Sequence, residues 1–91
     1  MSFDTAAKAI KDSANSNIKM TDDELLQIYS LYKQGSSGDN TTEKPGMLDF
    51  KGKAKWDAWT KLKGKSKDAA QHEYVELART LLKKYGLPAN F

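Results

Sequence analysis

The sequence contains no cysteine, so it has neither a disulfide framework nor a thiolate metal site. That composition suits a reducing compartment. A single histidine, His72, has no partner with which to build a metal or nucleophile site and reads as a surface residue. Arg79 is the lone arginine, too few for a recognition helix that reads base edges. The first twenty residues carry no continuous apolar run, so neither a secretory leader nor a membrane span is expected there. Ser2 excludes myristoylation at a second-position glycine. Strand-type alternation is missing as well. So are the P-loop, the glycine-rich dinucleotide turn, a His/Cys cluster and the serine elbow. The acid pairs Asp22/Asp23 and Asp68/Glu73 fall where helix starts and surfaces place acids anyway. No catalytic residues, metal or cofactor are therefore expected, and the chain reads as a non-enzymatic cytoplasmic domain. Asn40-Thr41-Thr42 fits a glycosylation sequon, which without a leader is expected to go unused.

What is present is uneven charge. The 91 residues carry a net charge of +3. Seven lysines between Lys51 and Lys67 face one acid, Asp57, so this window holds +6 and the remainder about −3. Such a basic zone implies an anionic partner. A chain this short makes one domain, residues 1–91, burying roughly 60–65% of its unfolded surface.

Four helical segments are expected. Phe3, Ala6, Ala7 and Ile10 recur at helical spacing in a first helix from about Ser2 to Ala14, which the polar stretch Ser13 to Asn17 ends. Thr21 and Glu24 form a capping box at the start of a second helix, and Asp22 and Asp23 suit its dipole. Its apolar face is Leu25, Ile28, Tyr29 and Tyr32, and Gly35 and Gly38 terminate it. A loop from Gly35 to Leu48 follows, long for a helix connection and therefore suited to a crossover. Asp49 caps a third helix with Phe50, Ala54, Trp59 and Leu62 as apolar positions, ended by Gly64. Ser66 caps the longest helix, carrying Tyr74, Leu77, Ala78, Leu81, Leu82 and Tyr85, with Gly86 and Pro88 stopping it. The fold class is all-α, a four-helix bundle.

Tyr29 and Lys33 stand i, i+4 and project together, with Tyr32 beside Lys33. A phenol offers a flat face for a purine and a hydroxyl for a phosphate, while lysine supplies a mobile cation. Helical packing of both rings accounts for the same spacing. Lys51 and Lys55 form a second i, i+4 pair near a helix N-terminus, where the dipole disfavours cations. A solvated lysine face is the plain alternative to an anion site. Of Trp56 and Trp59, one is expected in the core and the other partly exposed beside Lys55. Tyr74 is either core or a hydroxyl lining a groove.

Several runs resemble the acyl-CoA-binding protein family: Tyr29-Ser-Leu-Tyr-Lys-Gln34, then Gly38-Asp39, then the segment from Pro45-Gly-Met-Leu-Asp-Phe to Trp56-Asp-Ala-Trp59. Lys63-Gly64 and Tyr74 follow at the family's distance, and Phe3-Asp4 with Ala6-Ala7 matches its first helix. The resemblance implies an up-down-down-up topology, with a long crossover between helices two and three. It also implies binding of long-chain acyl-CoA without turnover, by a monomer that serves acyl-CoA-using enzymes. Carried over by position, Tyr29, Lys33 and Lys55 become the principal head-group contacts, for the adenine ring and the 3′-phosphate. Tyr32, Lys51 and Tyr74 match further ligand-lining positions, and Lys11 and Ala7 weaker contacts near the acyl chain and pantetheine. Ser30 and Leu31 fall inside the same run and are carried with it. Two departures stand out. The segment Ser13 to Met20 is longer than in common members, which leaves Lys19 without an assigned role. Gly35-Ser36-Ser37 replaces a more helical sequence, so early fraying of the second helix is expected. The remaining alternative class is a basic nucleic-acid-binding or protein-interaction module.

Overall fold

A computed structural model describes residues 3–13, 18–89 and 91. It contains four α-helices: α1 (Phe3–Ser13), α2 (Asp22–Ser37), α3 (Phe50–Thr60) and α4 (Lys67–Lys84). Among the described residues there is no strand. The caps follow the sequence. Thr21 Oγ1 accepts from the Glu24 N–H at 3.1 Å while Glu24 Oε1 accepts from the Thr21 N–H at 2.9 Å. Asp49 Oδ1 accepts from Gly52 at 2.9 Å and Ser66 Oγ from Ala69 at 3.1 Å. Each satisfies an amide that the first helical turn leaves without a partner. The expected boundaries of the first helix, Ser2 and Ala14, and the stretch 14–17 lie outside the described residues.

Helix directions follow from which ends meet. Phe3 packs against Tyr74 near the middle of α4, while Ala9 and Ser13 share a hollow with Leu82 and Leu87, so α1 and α4 run parallel. Gln71 Nε2 donates to Gly35 O at 2.8 Å and Lys84 Nζ to Glu24 Oε2 at 2.6 Å, so α2 opposes α4. Leu25 and Leu26 face Phe50 and Ala54, while Lys33 reaches Trp59, so α2 and α3 are parallel. The order is up-down-down-up. Two parallel neighbours need a return path of about 16 Å, the length of the 11-residue α3. Residues 38–49 provide it, with a reach of up to about 40 Å.

The core lies where α4 meets α1 and α2. Ala6, Ile28, Leu31, Ala70, Tyr74, Val75, Ala78 and Leu81 form one buried cluster. The small residues Ala6, Ala70 and Ala78 let the helices approach closely. Gly35 belongs to the same design and corrects the expectation that it ends α2. A Cβ there would sit 3.0 Å from Gln71 Cγ and 3.2 Å from Phe3 Cζ. The glycine is a contact point between helices, and α2 runs on to Ser37 without early fraying. Gly38, at φ 81°, is the stop, its N–H donating to Gln34 O.

The α3 apolar positions need a second correction. Trp59 is buried, but Phe50 is exposed. Of the other helices, α3 packs on α2, and its one buried residue, Trp59, lies near its C-terminal end, while Phe50 in its first turn only borders the open cleft against Leu25 and Leu26. Leu25 is likewise half exposed rather than core. The helix also closes at Thr60, with turns carrying the chain to Gly64.

Candidate functional site

Residues on the crossover hold α3 in place by polar contacts. The Trp59 indole N–H donates to Gly38 O at 2.9 Å and the Trp56 indole to Thr42 O at 3.1 Å. Asn40 Nδ2 donates to Thr60 Oγ1 at 3.0 Å while its Oδ1 accepts from the Thr42 N–H at 2.9 Å. The sequon amide is thus engaged in folding the loop. Fully buried Gln34 donates to Asp39 Oδ1 at 2.9 Å and to Lys65 O at 2.8 Å. Asp39 also accepts from the Gly64 N–H, and these bonds hold its carboxyl below its ordinary range. Sequence reasoning missed Gln34, Asp39 and Asn40 as positioning residues, because their partners lie across the fold.

The α2/α3 seam gathers the aromatic and basic candidates. Tyr29 and Lys33 are half-buried on α2, and Lys55 is exposed on α3. Lys55 Nζ lies 5.3 Å from the Tyr29 ring centroid and Lys33 Nζ 5.0 Å from that of Trp59. Each ammonium rests over an aromatic face, a contact of about 0.5–1 kcal/mol at an exposed site. A stronger anionic partner can therefore recruit both cations at small cost. Lys51, also exposed, lines the seam together with Leu25, Leu26, Phe50, Ala54 and Lys55, around a cleft of about 460 Å³.

An apolar trough leads away from that seam. Leu25 also walls a cleft of about 560 Å³ with Ile10, Ile18 and Met20, where exposed Lys19 stands at the edge. Ile10 and Lys11 in turn join it to one of about 600 Å³ lined by Ala7, Tyr32 and Tyr74. These volumes fall in the range of small-molecule sites. Phe3, Tyr32 and Tyr74 cluster at the far end, Phe3 stacked on Tyr32 at a centroid separation of 5.4 Å and edge-to-face with Tyr74 at 5.1 Å. Burial, and then the neighbouring Tyr32, push the Tyr74 phenol up to about 12, so it stays a neutral hydroxyl. Lys11 is exposed at the rim.

The structure therefore brings Tyr29, Lys33, Lys51 and Lys55 to one seam and Tyr32, Tyr74 and Lys11 to the other end of a shared trough. It does not bring Ser30 and Leu31 there. Both are buried, Leu31 in the core cluster, and Ser30 Oγ donates back to Gln27 O at 3.1 Å. Neighbours in sequence point about 100° apart on a helix, so the run Tyr29 to Lys33 cannot act on one ligand as a block. His72 is exposed beside a hollow of about 220 Å³. No group of three His, Cys, Asp or Glu side chains able to hold a metal occurs among the described residues. None of the described helices is long and apolar enough to cross a membrane.

Comparison with known proteins gives the same picture from outside the fold. Residues 1–78 match the family model described as acyl CoA binding protein. The acyl-CoA-binding protein homolog 1 of Caenorhabditis elegans is 55% identical over 86 residues, 94% of this chain and 96% of that protein. The acyl-CoA-binding protein homolog of Drosophila melanogaster is 53% identical over 83 residues, 91% of this chain and 93% of that one. The crystal structure of ACBP from Moniliophthora perniciosa superposes with a TM-score of 0.84 at 42% identity, covering 92% of this chain and 80% of that one. With helix order, seam and sequence in agreement, the chain belongs to the acyl-CoA-binding protein family.

Proposed function

We propose that this chain binds medium- and long-chain acyl-CoA thioesters and carries them without chemical turnover. One observation carries the reading: a cationic, aromatic seam at Tyr29, Lys33 and Lys55 opens into an apolar trough. CoA offers a purine, a 3′-phosphate and a pyrophosphate, which call for ring faces and ammonium groups. The acyl chain calls for an apolar groove. Tyr29 supplies the ring, Lys33, Lys51 and Lys55 the cations, and Ile10, Met20 and Leu25 the apolar walls. Tyr32, Tyr74 and Lys11 bound the far end. Each buried methylene contributes about 0.8 kcal/mol at most, so four extra carbons add roughly 3 kcal/mol, about two orders of magnitude in affinity. Chain length therefore dominates selectivity, while exposed lysine–phosphate contacts set orientation and salt sensitivity.

The protein acts as a monomeric cytoplasmic carrier of one domain, residues 1–91, handing its cargo to acyl-CoA-using enzymes. Calorimetric titration with palmitoyl-CoA, octanoyl-CoA, free CoA and palmitate tests the reading. Tight one-to-one binding of palmitoyl-CoA, weakening sharply for the shorter chain and for each fragment, is the expected result. Equal, weak and salt-sensitive binding of CoA and palmitoyl-CoA would leave only a basic patch. In folded Tyr29→Ala and Lys33→Ala variants the affinity should drop, and no change in either would remove both residues from the site.

A further inference from the structure

With no cysteine, this chain offers an oxidant only thioether sulfur, in three methionines. Met1 lies outside the described residues. The other two stand in opposite surroundings. Met47 is 89% exposed and belongs neither to the core cluster nor to the residues packed against it. Met20 is half-buried and packs against that cluster. It also walls the cleft of about 560 Å³ with Ile10, Ile18 and Leu25.

The start of α2 sets this position. Thr21 is the N-cap, so Met20 precedes it and Leu25 is the fourth helical residue. Apolar side chains at these two places form a hydrophobic staple across a helix entry, and both wall the same cleft. The reciprocal bonds of Thr21 and Glu24 fix the backbone between them. Met20 itself lies in a non-helical segment between exposed Lys19 and exposed Thr21, so a small oxidant can reach its sulfur. A thioether is apolar and adaptable, whereas its sulfoxide is polar.

We propose that Met20 is a modification site for hydroperoxides, and that its sulfoxide lowers the protein's hold on an acyl chain while sparing the head-group contacts. The sulfur lone pair attacks the distal peroxide oxygen. The S–O bond forms as the O–O bond breaks, and the distal O–H proton passes to the departing oxygen. Sulfur gives up two electrons, and the hydroperoxide takes them and leaves as an alcohol, or as water from hydrogen peroxide. A thiol-dependent sulfoxide reductase reverses the change, two thiols becoming a disulfide as the oxygen leaves in water. The apolar walls Ile10, Ile18 and Leu25 offer the new oxygen no donor, and Tyr29, Lys33 and Lys55 do not line this cleft. The oxidation stands on the surroundings of the sulfur alone, while its effect on affinity rests on the carrier reading.

The test treats the unliganded protein with hydrogen peroxide, maps sulfoxide by peptide mass spectrometry, and titrates palmitoyl-CoA and free CoA before and after. Sulfoxide is expected at Met20 as well as Met47. Affinity for palmitoyl-CoA should fall on the order of tenfold, with that for free CoA unchanged. The fall should persist in Met47→Leu, vanish in Met20→Leu when each variant is compared with itself untreated, and be reversed by a methionine sulfoxide reductase. Sulfoxide at Met20 with unchanged affinity would overturn the proposal, as would a Met20 that stays reduced while Met47 is oxidised. A parallel loss of free-CoA binding would mean general unfolding and overturn it too. Untreated protein that binds palmitoyl-CoA no better than CoA would bring down the carrier reading and this proposal together, a result distinct from the others.

Discussion

α4 and α3 are neighbours of α2 built on opposite principles. α4 buries Ala70, Tyr74, Val75, Ala78, Leu81 and Leu82 along its 18 residues. α3, over 11 residues, buries Trp59 alone. What fixes α3 instead is hydrogen bonding from the crossover, through Trp59, Trp56 and Asn40, together with ammonium–ring contacts to α2. Burial of apolar area supplies most folding free energy, so α4 is where stability is concentrated. α3 leaves its lysines and Phe50 exposed to solvent. The difference teaches that the chain separates the helix that holds the fold from the helix that presents charge at the surface. A helix held by few apolar contacts is also the one expected to open locally.

The sharpest way to break this contrast is to hollow out α4. Leu82 is 1% exposed, and Leu82→Ala is expected to cost about 2–5 kcal/mol through lost burial and a residual cavity. Urea unfolding measures it, and a loss below about 1 kcal/mol would deny α4 its dominant role. Next in size is Gly35→Ala. Its Cβ would press on Gln71 Cγ and Phe3 Cζ, so a loss of about 1–3 kcal/mol from overpacking is expected. Stabilisation instead would mean that the helical propensity of alanine outweighs the close approach.

Gly35 also shows where sequence reading stops. Thr21, Asp49 and Ser66 were legible as caps because each bonds an amide three residues away, a relation written in local spacing. The up-down-down-up order was legible only through family resemblance and the long crossover. Gly35 read as a helix stop, because a glycine needed for contact with another helix looks the same in sequence as one needed for a turn. Phe50 and Leu25 sit at helical spacing, yet spacing does not say whether a helix will come to cover them. In the candidate site, Tyr29 and Lys33 were legible as one face of α2. The ammonium–ring pairs joining α2 to α3, and the trough through Ile10, Met20 and Leu25, depend on packing between distant segments. Ser30 and Leu31 came in with the run and are turned to the core by helical geometry.

A smaller change sharpens the α3 side. Trp59→Phe keeps a buried ring but removes the indole donor to Gly38 O and weakens the face under Lys33. A cost of about 1–2 kcal/mol is expected from these losses. Amide hydrogen exchange should show α3 opening more readily in the variant while α4 stays protected, and palmitoyl-CoA should restore protection to α3. Uniform acceleration across all four helices would mean that α3 and α4 open as one unit.

The smallest expected effect concerns the polar pin that ties the start of α2 to the end of α4. Glu24 Oε2 accepts from Lys84 Nζ at 2.6 Å, and Oε1 accepts from the Tyr85 hydroxyl at 2.5 Å and from the Thr21 N–H. Lys84 first, then Tyr85 and the Thr21 amide, pull the Glu24 carboxyl from its ordinary 4.5 down to about 2. Between those values the unfolded chain binds the proton that the folded protein refuses. Stability from this group is therefore complete above about pH 4.5 and lost as pH falls toward 2. Lys84 and Tyr85 are both raised by Glu24, so their share is lost at the alkaline end instead. Glu24→Gln keeps an oxygen for Tyr85 and the Thr21 amide but removes the charge that Lys84 answers. Its melting temperature should vary less steeply than that of the wild type between pH 5 and 2, the two converging in acid, with the wild type the more stable at neutral pH by a margin kept small because Lys84 is largely solvated. An unchanged acid slope would shift the linkage to other carboxylates, Asp39 first, since Gly64 and Gln34 hold it below its ordinary value on the α3 side. Acid would then loosen the crossover before the core, reversing which half of the molecule yields first.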